Sequence, residues 1–229
     1  MLVGGVGIMV LAGCSLKSSR RFIEGKAAEL SKVYPTENLE DLFEKFPDGF
    51  QIRITDTEKK DENSPTIIYQ TVLNGISETK EIKGEITKES SLKNSDGKIE
   101  KEILYKGNVY YKDGSLHLSE GNSSNNKEKG DLKHSRLLMQ EFLISRSSLR
   151  GLQVTLKGYS FETGSASITY NLKNEQVNNY LGLESDAQLN MDINIFEPTI
   201  AGKSYGYDVI FRKDNLYHSE GIVGKLKGN

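Results

Sequence analysis

Few residues in this chain have the types and spacing that catalysis or metal binding requires. The chain has three histidines, His117, His134 and His218, and none belongs to a short metal-ligand pattern such as H-x-x-x-H. A metal site would need these residues to converge from distant parts of the sequence. We therefore expect no bound metal and no cofactor.

The stretch from Gly202 to Gly206 has the G-x-S-x-G lettering of a hydrolase nucleophile, with Ser204 at its centre. Such a serine stands on a sharp turn between a strand and a helix, with a histidine and an acid nearby. The residues from Tyr205 to Phe211 instead alternate in a way that predicts a strand. We interpret the lettering as accidental and predict no catalytic residue.

The single cysteine, Cys14, ends an uncharged, mostly apolar run that starts at Met1. The run is shorter than the roughly 20 residues of a membrane-spanning helix, but it has the length of a signal-peptide apolar region. Leu11, Ala12 and Gly13 precede the cysteine, and this order resembles the bacterial lipobox. The resemblance implies cleavage after Gly13 and a diacylglycerol, with palmitate-like chains, on the Cys14 thiol. The alternative is a buried thiol in a small apolar helix.

Two features next to this cysteine bear on the anchor. No Lys or Arg precedes Cys14, which departs from the positively charged start of a signal peptide and would be explained by a trimmed or upstream start. The residues 17–21 read KSSRR and carry three positive charges. They either attract anionic lipid head groups or form a solvated helix start.

Composition excludes several classes of protein. Lys and Arg number 30 against 32 Asp and Glu, so the net charge of -2 gives no basic excess for a nucleic-acid partner. One cysteine excludes an intramolecular disulfide framework and a cysteine-rich zinc site. The length fits one globular domain of ordinary size or two small ones.

Hydrophobic periodicity predicts the elements that must position these residues. Helical spacing predicts helices over 20–33, after Thr36, and from Asp131 to about Ser145, with one or two turns over 174–181. Period-two alternation predicts strands over 50–55, 66–73, 82–86, 99–111, 116–119, 153–161, 167–172, 188–196, 205–212 and 216–223. The predicted fold is therefore α+β, an antiparallel sheet of successive hairpins with N-terminal helices and one central helix packed on it.

A weak internal repeat accompanies this pattern. Val109 to Gly121 and Val209 to Gly221 align without gaps, and each is predicted to be a strand, a turn and a strand. The two segments are either copies from a duplicated half or, as we favour, two hairpins with similar turn chemistry.

A Tyr-Pro-x-x-Asn-Leu-Glu-Asp-Leu-aromatic block follows Cys14 and is formed by Tyr34, Pro35, Asn38, Leu39, Glu40, Asp41, Leu42 and Phe43. Two further segments of interest are 202–211, GKSYGYDVIF, and 74–84, NGISETKEIKG. Together the three segments resemble the staphylococcal tandem lipoprotein family, whose members carry such a block soon after a lipidated cysteine. The middle of the chain, about 90–183, diverges from the family pattern.

The resemblance implies a surface lipoprotein of a Gram-positive bacterium, held by lipid on the outer face of the cell membrane. It also implies immune recognition and host-cell entry through a host surface protein. We expect residues 1–13 to be a signal peptide, 14–33 the tether and first helix, and 34–229 one globular domain. The alternatives are a lipoprotein holding a small molecule or envelope polymer in a cleft and, third, an enzyme.

Overall fold

Ten antiparallel strands and four short helices make up the described part of the chain. The computed structural model describes residues 18–32, 36–61, 63–93, 96–119, 132, 135, 137–196 and 204–225. The strands are β1 Phe50–Glu58, β2 Thr66–Ile76, β3 Glu81–Lys93, β4 Ile99–Lys112, β5 Ser115–Leu118, β6 Gln153–Tyr159, β7 Ala166–Leu172, β8 Leu189–Phe196, β9 Ser204–Lys213 and β10 Leu216–Lys225. The helices are α1 Arg20–Ala27, α2 Leu42–Lys45, α3 Arg146–Arg150 and α4 Glu175–Tyr180, and 3₁₀ segments cover Ala28–Lys32, Leu39–Asp41 and Leu138–Gln140.

All ten strands belong to one sheet in the order β5-β4-β3-β2-β1-β10-β9-β8-β7-β6. Strands β1 to β5 form one meander and β6 to β10 a second. The two meanders join where the last strand pairs with the first, so that Ile52 lies opposite Ile222. The middle of the sheet is therefore formed by pairing between the first and the last strand of the chain.

One face of the sheet carries the core, because alternate side chains of a strand point to opposite faces. Ile52 lies opposite both Leu73 and Ile222, and the buried row continues through Tyr207 to Ile195. Helix α1 covers the second meander with Ile23 and Ala27, which are fully buried. The buried residues of the strands on this face include Ile54, Ile82, Ile86, Val109, Ile168, Tyr170, Met191, Ile193, Val209 and Phe211.

The helices begin at polar caps that the sequence supplies. The Ser19 hydroxyl accepts a hydrogen bond from the Phe22 N–H at the start of α1, and the Asn38 side chain accepts one from the Glu40 N–H before α2. After α2, Phe46 packs on the backbone of β10. A Cβ on Gly224 would lie 1.6 Å from the Phe46 ring, so only glycine allows this approach.

The predicted α+β class is wrong, because the described residues form a mainly β structure with short helices. The central helix from Asp131 to about Ser145 is the clearest error. Within the described part of that segment, Leu138–Gln140 forms a single 3₁₀ turn and Ser145 has an extended backbone, φ -136° and ψ 168°. Ser145 caps the new helix α3, so the chain cannot be helical through it.

The apolar residues of this segment produced the false helical pattern. Leu137, Leu138, Phe142 and Ile144 are all buried. They cover the sheet from an irregular segment in which no continuous helix is described. Their spacing therefore matches contact points on the sheet and not the period of a helix.

The first helix also ends earlier than predicted, since α1 stops at Ala27 and a 3₁₀ segment continues to Lys32.

The two segments of the internal repeat both form hairpins, but the hairpins differ in register. The first turns at Asp113 and Gly114, which both have positive φ, and pairs Val109 with Leu118. The second turns at Asp214 and Asn215 and pairs Val209 with Glu220. This mismatch favours similar turn chemistry over a duplicated half.

Candidate functional sites

The residues predicted to be functional are scattered over the chain. Cys14 and the preceding Leu11, Ala12 and Gly13 lie outside the described residues, as do Tyr34, Pro35 and His134. Nothing in the structure therefore bears on the lipobox, which stays a prediction.

The described part of the family-like block packs as a structural element. Leu39 and Leu42 are buried, whereas Glu40 and Asp41 are exposed. The Leu39 N–H donates a hydrogen bond of 3.3 Å to the Tyr111 hydroxyl on β4. Burial, the largest influence, raises the pKa of Tyr111, so this hydroxyl stays protonated. The block thus holds α2 on the sheet.

Ser204 begins strand β9, as the alternation of the following residues predicted, and no helix starts there. It pairs with Lys225, whereas His218 pairs with Phe211, seven positions further along β9. At about 3.3 Å per residue, these positions are roughly 23 Å apart. The strand-turn-helix elbow and the neighbouring histidine that a serine nucleophile needs are therefore both missing around Ser204 in the described structure.

His117 also lies apart from Ser204. His117 on β5 stacks on Tyr110, with ring centroids 5.3 Å apart, and its Nε2 lies 3.0 Å from the Ser115 hydroxyl. Among the described residues, no group of three His, Cys, Asp or Glu side chains is arranged to hold a metal ion.

A buried acid and imidazole lie on the core face of β10. His218 Nε2 lies 3.6 Å from Glu220 Oε1, and both side chains are at most 2% exposed. The Glu220 carboxylate accepts the N–H of Leu138, and the Tyr180 ring meets the His218 ring edge-on. Neither ring nitrogen of His218 makes a hydrogen bond to a described residue. Glu220 thus fixes the Leu138 turn on the sheet, and both members of the pair are buried among the described residues.

Tyr180 also lines a surface cleft of about 670 Å³ beside this pair. The other lining residues are polar or acidic, and the Gln176 amide donates to the Glu141 carbonyl at 2.8 Å. The lining is completed by Asn174, Glu175 and Asn179.

The second cleft, about 1080 Å³, is lined mainly by arginines and is called the arginine cleft below. Arg20 and Arg21 come from the start of α1, and Arg146 and Arg150 come from α3. Its remaining lining residues are Glu24, Ser145 and Ser147.

One arginine of the cleft joins its two walls. Arg20 Nε donates to Glu24 Oε1 at 2.8 Å, and its Nη2 donates to the carbonyls of Leu152 at 2.9 Å and Arg150 at 3.2 Å. Glu24 also accepts the Tyr170 hydroxyl at 3.3 Å. Burial, with a smaller effect of the Glu24 carboxylate, raises the pKa of Tyr170, which keeps it a donor. The only described acid of the cleft is thus already engaged.

The sequence patterns indicated only half of this cleft. Arg20 and Arg21 belong to the basic stretch 17–21, but Arg146 and Arg150 were not singled out. The available signal was the pattern SRSSLR over 145–150, in which a serine cap is followed by two arginines four positions apart.

The similarities between this chain and known proteins are weak. No family model and no curated protein matches the chain. It is similar to LprF from Mycobacterium bovis at 8% identity and a TM-score of 0.40, over 90% of this chain and 93% of that chain. It is similar to the dehydratase domain of RzxB from Pseudomonas fluorescens at 10% identity and a TM-score of 0.18, over 97% and 84%. TM-scores this low do not establish a common fold, and the tandem lipoprotein resemblance stays a sequence-based interpretation.

Among the described helices, none is long and apolar enough to cross a membrane.

Proposed function

We propose that this protein is a lipid-anchored protein of the bacterial envelope, acylated at Cys14 and without catalytic activity. The supporting observation is the position of the fold relative to the lipobox-like stretch. Ser18 follows Cys14 by four positions, and the Lys157 ammonium donates to the Ser18 carbonyl at 2.6 Å. Four residues reach at most about 14 Å, so a lipid on Cys14 would keep the sheet close to the membrane surface.

The proposed location of the protein and its proposed partner follow from the family resemblance. The protein would stand on the outer face of a Gram-positive cell membrane and meet a host surface protein, which is the interaction that the resemblance implies. Exposed side chains of the sheet's outer face would provide the contact, since the opposite face is occupied by the core.

The anchor is tested by replacing Cys14 with Ser in the full chain. We expect the wild-type protein to incorporate a labelled fatty acid and to sediment with membranes, and Cys14→Ser to do neither. His117→Ser is a matched control, because it changes a ring with only local contacts and leaves the lipobox intact. Acyl labelling of Cys14→Ser equal to that of the wild type would refute the anchor.

A ligand-binding lipoprotein is the second candidate function. It is favoured by the arginine cleft, whose volume of about 1080 Å³ is comparable with that of small-molecule sites. A screen of anionic small molecules and envelope polymers by calorimetry would separate it from a protein-binding surface. Binding that is lost in an arginine-cleft variant would favour this candidate.

A further inference from the structure

We propose that the arginine cleft binds the phosphate of an anionic phospholipid head group in the membrane that carries the anchor. This proposal rests on the proposed anchor at Cys14. It assigns to the side chains of Arg21, Arg146 and Arg150 a function that their contacts within the fold do not explain.

The charge of the cleft is locally unbalanced. Four guanidinium groups face one carboxylate, Glu24, although the whole chain has a net charge of -2. Glu24 is engaged by Arg20 and by the Tyr170 hydroxyl. Within the described residues, Arg21, Arg146 and Arg150 make no ion pair with an acid. Three cations around one cleft repel each other, and an anion bound between them would offset that repulsion.

The cleft is held in shape by contacts that do not use these three side chains. Arg20 bonds to the backbone carbonyls of Arg150 and Leu152, and thereby fixes α3 against the start of α1. Arg146 lies against the α1 backbone, where a Cβ on Gly25 would come within 3.2 Å of its Nη2. The two walls of the cleft are therefore held together before any ligand arrives.

Guanidinium chemistry selects the kind of ligand. A planar guanidinium presents paired N–H donors that match two oxygens of a phosphate, and serine hydroxyls add single donors. The hydroxyls of Ser145 and Ser147 lie at the cleft, 2.8 Å from each other. A phosphate group with its own negative charge is the ligand that fits this set of donors.

The position of the cleft in the chain selects a lipid as the source of the phosphate. Arg21 follows Cys14 by seven positions, which at full extension span at most about 25 Å. The Ser18 backbone, two positions before Arg20 of the cleft, is held on β6 by Lys157. An acyl group on Cys14 would bring the head-group layer within reach, whereas a soluble phosphate would have no such bias.

The experiment uses the full chain carrying Cys14→Ser, so that no acyl group contributes to binding. Sedimentation with phosphatidylglycerol-containing vesicles is compared with sedimentation with phosphatidylcholine vesicles. We expect binding to the anionic vesicles only, and weaker binding at high ionic strength. Since each basic residue near an anionic surface strengthens binding about fivefold, Arg146→Gln with Arg150→Gln should weaken binding about 25-fold.

Arg53→Gln provides the matched control, because Arg53 is an exposed arginine on β1, away from the cleft. It should leave vesicle binding within twofold of the parent. Arg21→Glu is a second cleft variant and should weaken binding at least as much as one neutralisation. Thermal unfolding of every variant verifies that it is folded, which we expect because the three substituted side chains make no described hydrogen bond.

Equal binding of the parent and the double variant would overturn the proposal, as would equal binding to both vesicle types. Calorimetric binding of inorganic phosphate with no binding to anionic vesicles would assign the cleft to a soluble ligand and would also overturn it. Failure of the anchor itself is seen separately, in the acyl labelling of Cys14, which does not depend on these arginines.

Discussion

Replacing Arg20 with Met tests whether one arginine holds the two walls of the arginine cleft together. The substitution keeps most of the aliphatic stem and removes every donor. It leaves the Leu152 carbonyl and the Glu24 carboxylate without the Arg20 guanidinium. We expect both a less stable fold and a looser α3.

The magnitude follows from the individual contacts of Arg20. The part-buried bond to the Leu152 carbonyl, at 2.9 Å, is charge-assisted and contributes about 1.5 kcal/mol. The ion pair with Glu24 has the i,i+4 spacing and an arginine that is 41% exposed, so solvent screening limits it to about 0.5 kcal/mol. The exposed contact with the Arg150 carbonyl adds little. The sum is about 2 kcal/mol, which corresponds to a fall in Tm of about 4–8 °C for a chain of this size.

Thermal unfolding followed by circular dichroism, with Cys14→Ser as the common background, measures this effect. The matched control is Arg21→Met, one residue away and exposed, which should change stability by less than about 0.5 kcal/mol. A Tm for Arg20→Met within one or two degrees of that of Arg21→Met would refute the reasoning, because it would show that the bonds to the α3 end carry no net energy.

Three further substitutions test other parts of the structure. Gly25→Ala should raise the free energy of unfolding, measured by urea titration, by about 0.5–1 kcal/mol, because alanine favours a helix and the nearby Arg146 guanidinium can move away. A loss of stability would show that the guanidinium cannot move. In the wild-type protein the buried hydroxyls of Thr71 and Ser135 lie 2.7 Å apart. Thr71→Val should lower the free energy of chemical unfolding by about 1–3 kcal/mol, because it leaves the Ser135 hydroxyl buried without this partner. The double variant with Ser135→Ala should recover most of this loss, and additive losses would contradict the bond. Burial raises the pKa of Asp208 in the folded state, so stability should fall as the pH rises through the window above the ordinary value of 3.8. Asp208→Asn should remove that slope in pH-dependent unfolding, and an unchanged slope would assign it to other groups.

Local patterns in the sequence predicted the hairpins, because they depend on neighbouring residues. Period-two alternation located the strands, and Asp113 and Gly114 both adopt the positive φ that the two-residue turn requires. The pairing of β1 with β10 joins opposite ends of the chain and has no local signal. The same is true of the arginine cleft, whose walls come from α1 and α3.

The prediction of a central helix was wrong for a different reason. Leu138 and Phe142 are four positions apart, which is helical spacing, and both are buried. Each is buried by the sheet beneath it, and the Glu220 carboxylate accepts the Leu138 N–H that a longer helix would have used internally. The Phe142 N–H still donates to the Leu138 carbonyl at 2.9 Å, so one helical turn forms, but the Glu220 contact takes the Leu138 N–H that would extend the helix toward Asp131.

The buried pair on β10 had a sequence signal that was not used. His218, Glu220 and Ile222 are two positions apart, so they share one face of a strand, and Ile222 marks that face as the core. A histidine and a glutamate on a core face need partners inside the protein. Reading the alternation for polar residues on the apolar side would have identified this pair.

The contrast between the buried pair and the arginine cleft supports the proposed location of the binding site. Glu220 is 1% exposed and accepts the Leu138 N–H, so this acid has a partner inside the fold. Arg146 and Arg150 are exposed, and no described acid balances them. A buried polar group with an internal partner contributes to the packing of one structure, whereas uncompensated surface cations are stabilised when an external anion arrives. Because these cations also lie near the chain position of Cys14, the proposed ligand, an anionic membrane surface, would account for both their charge and their place in the sequence.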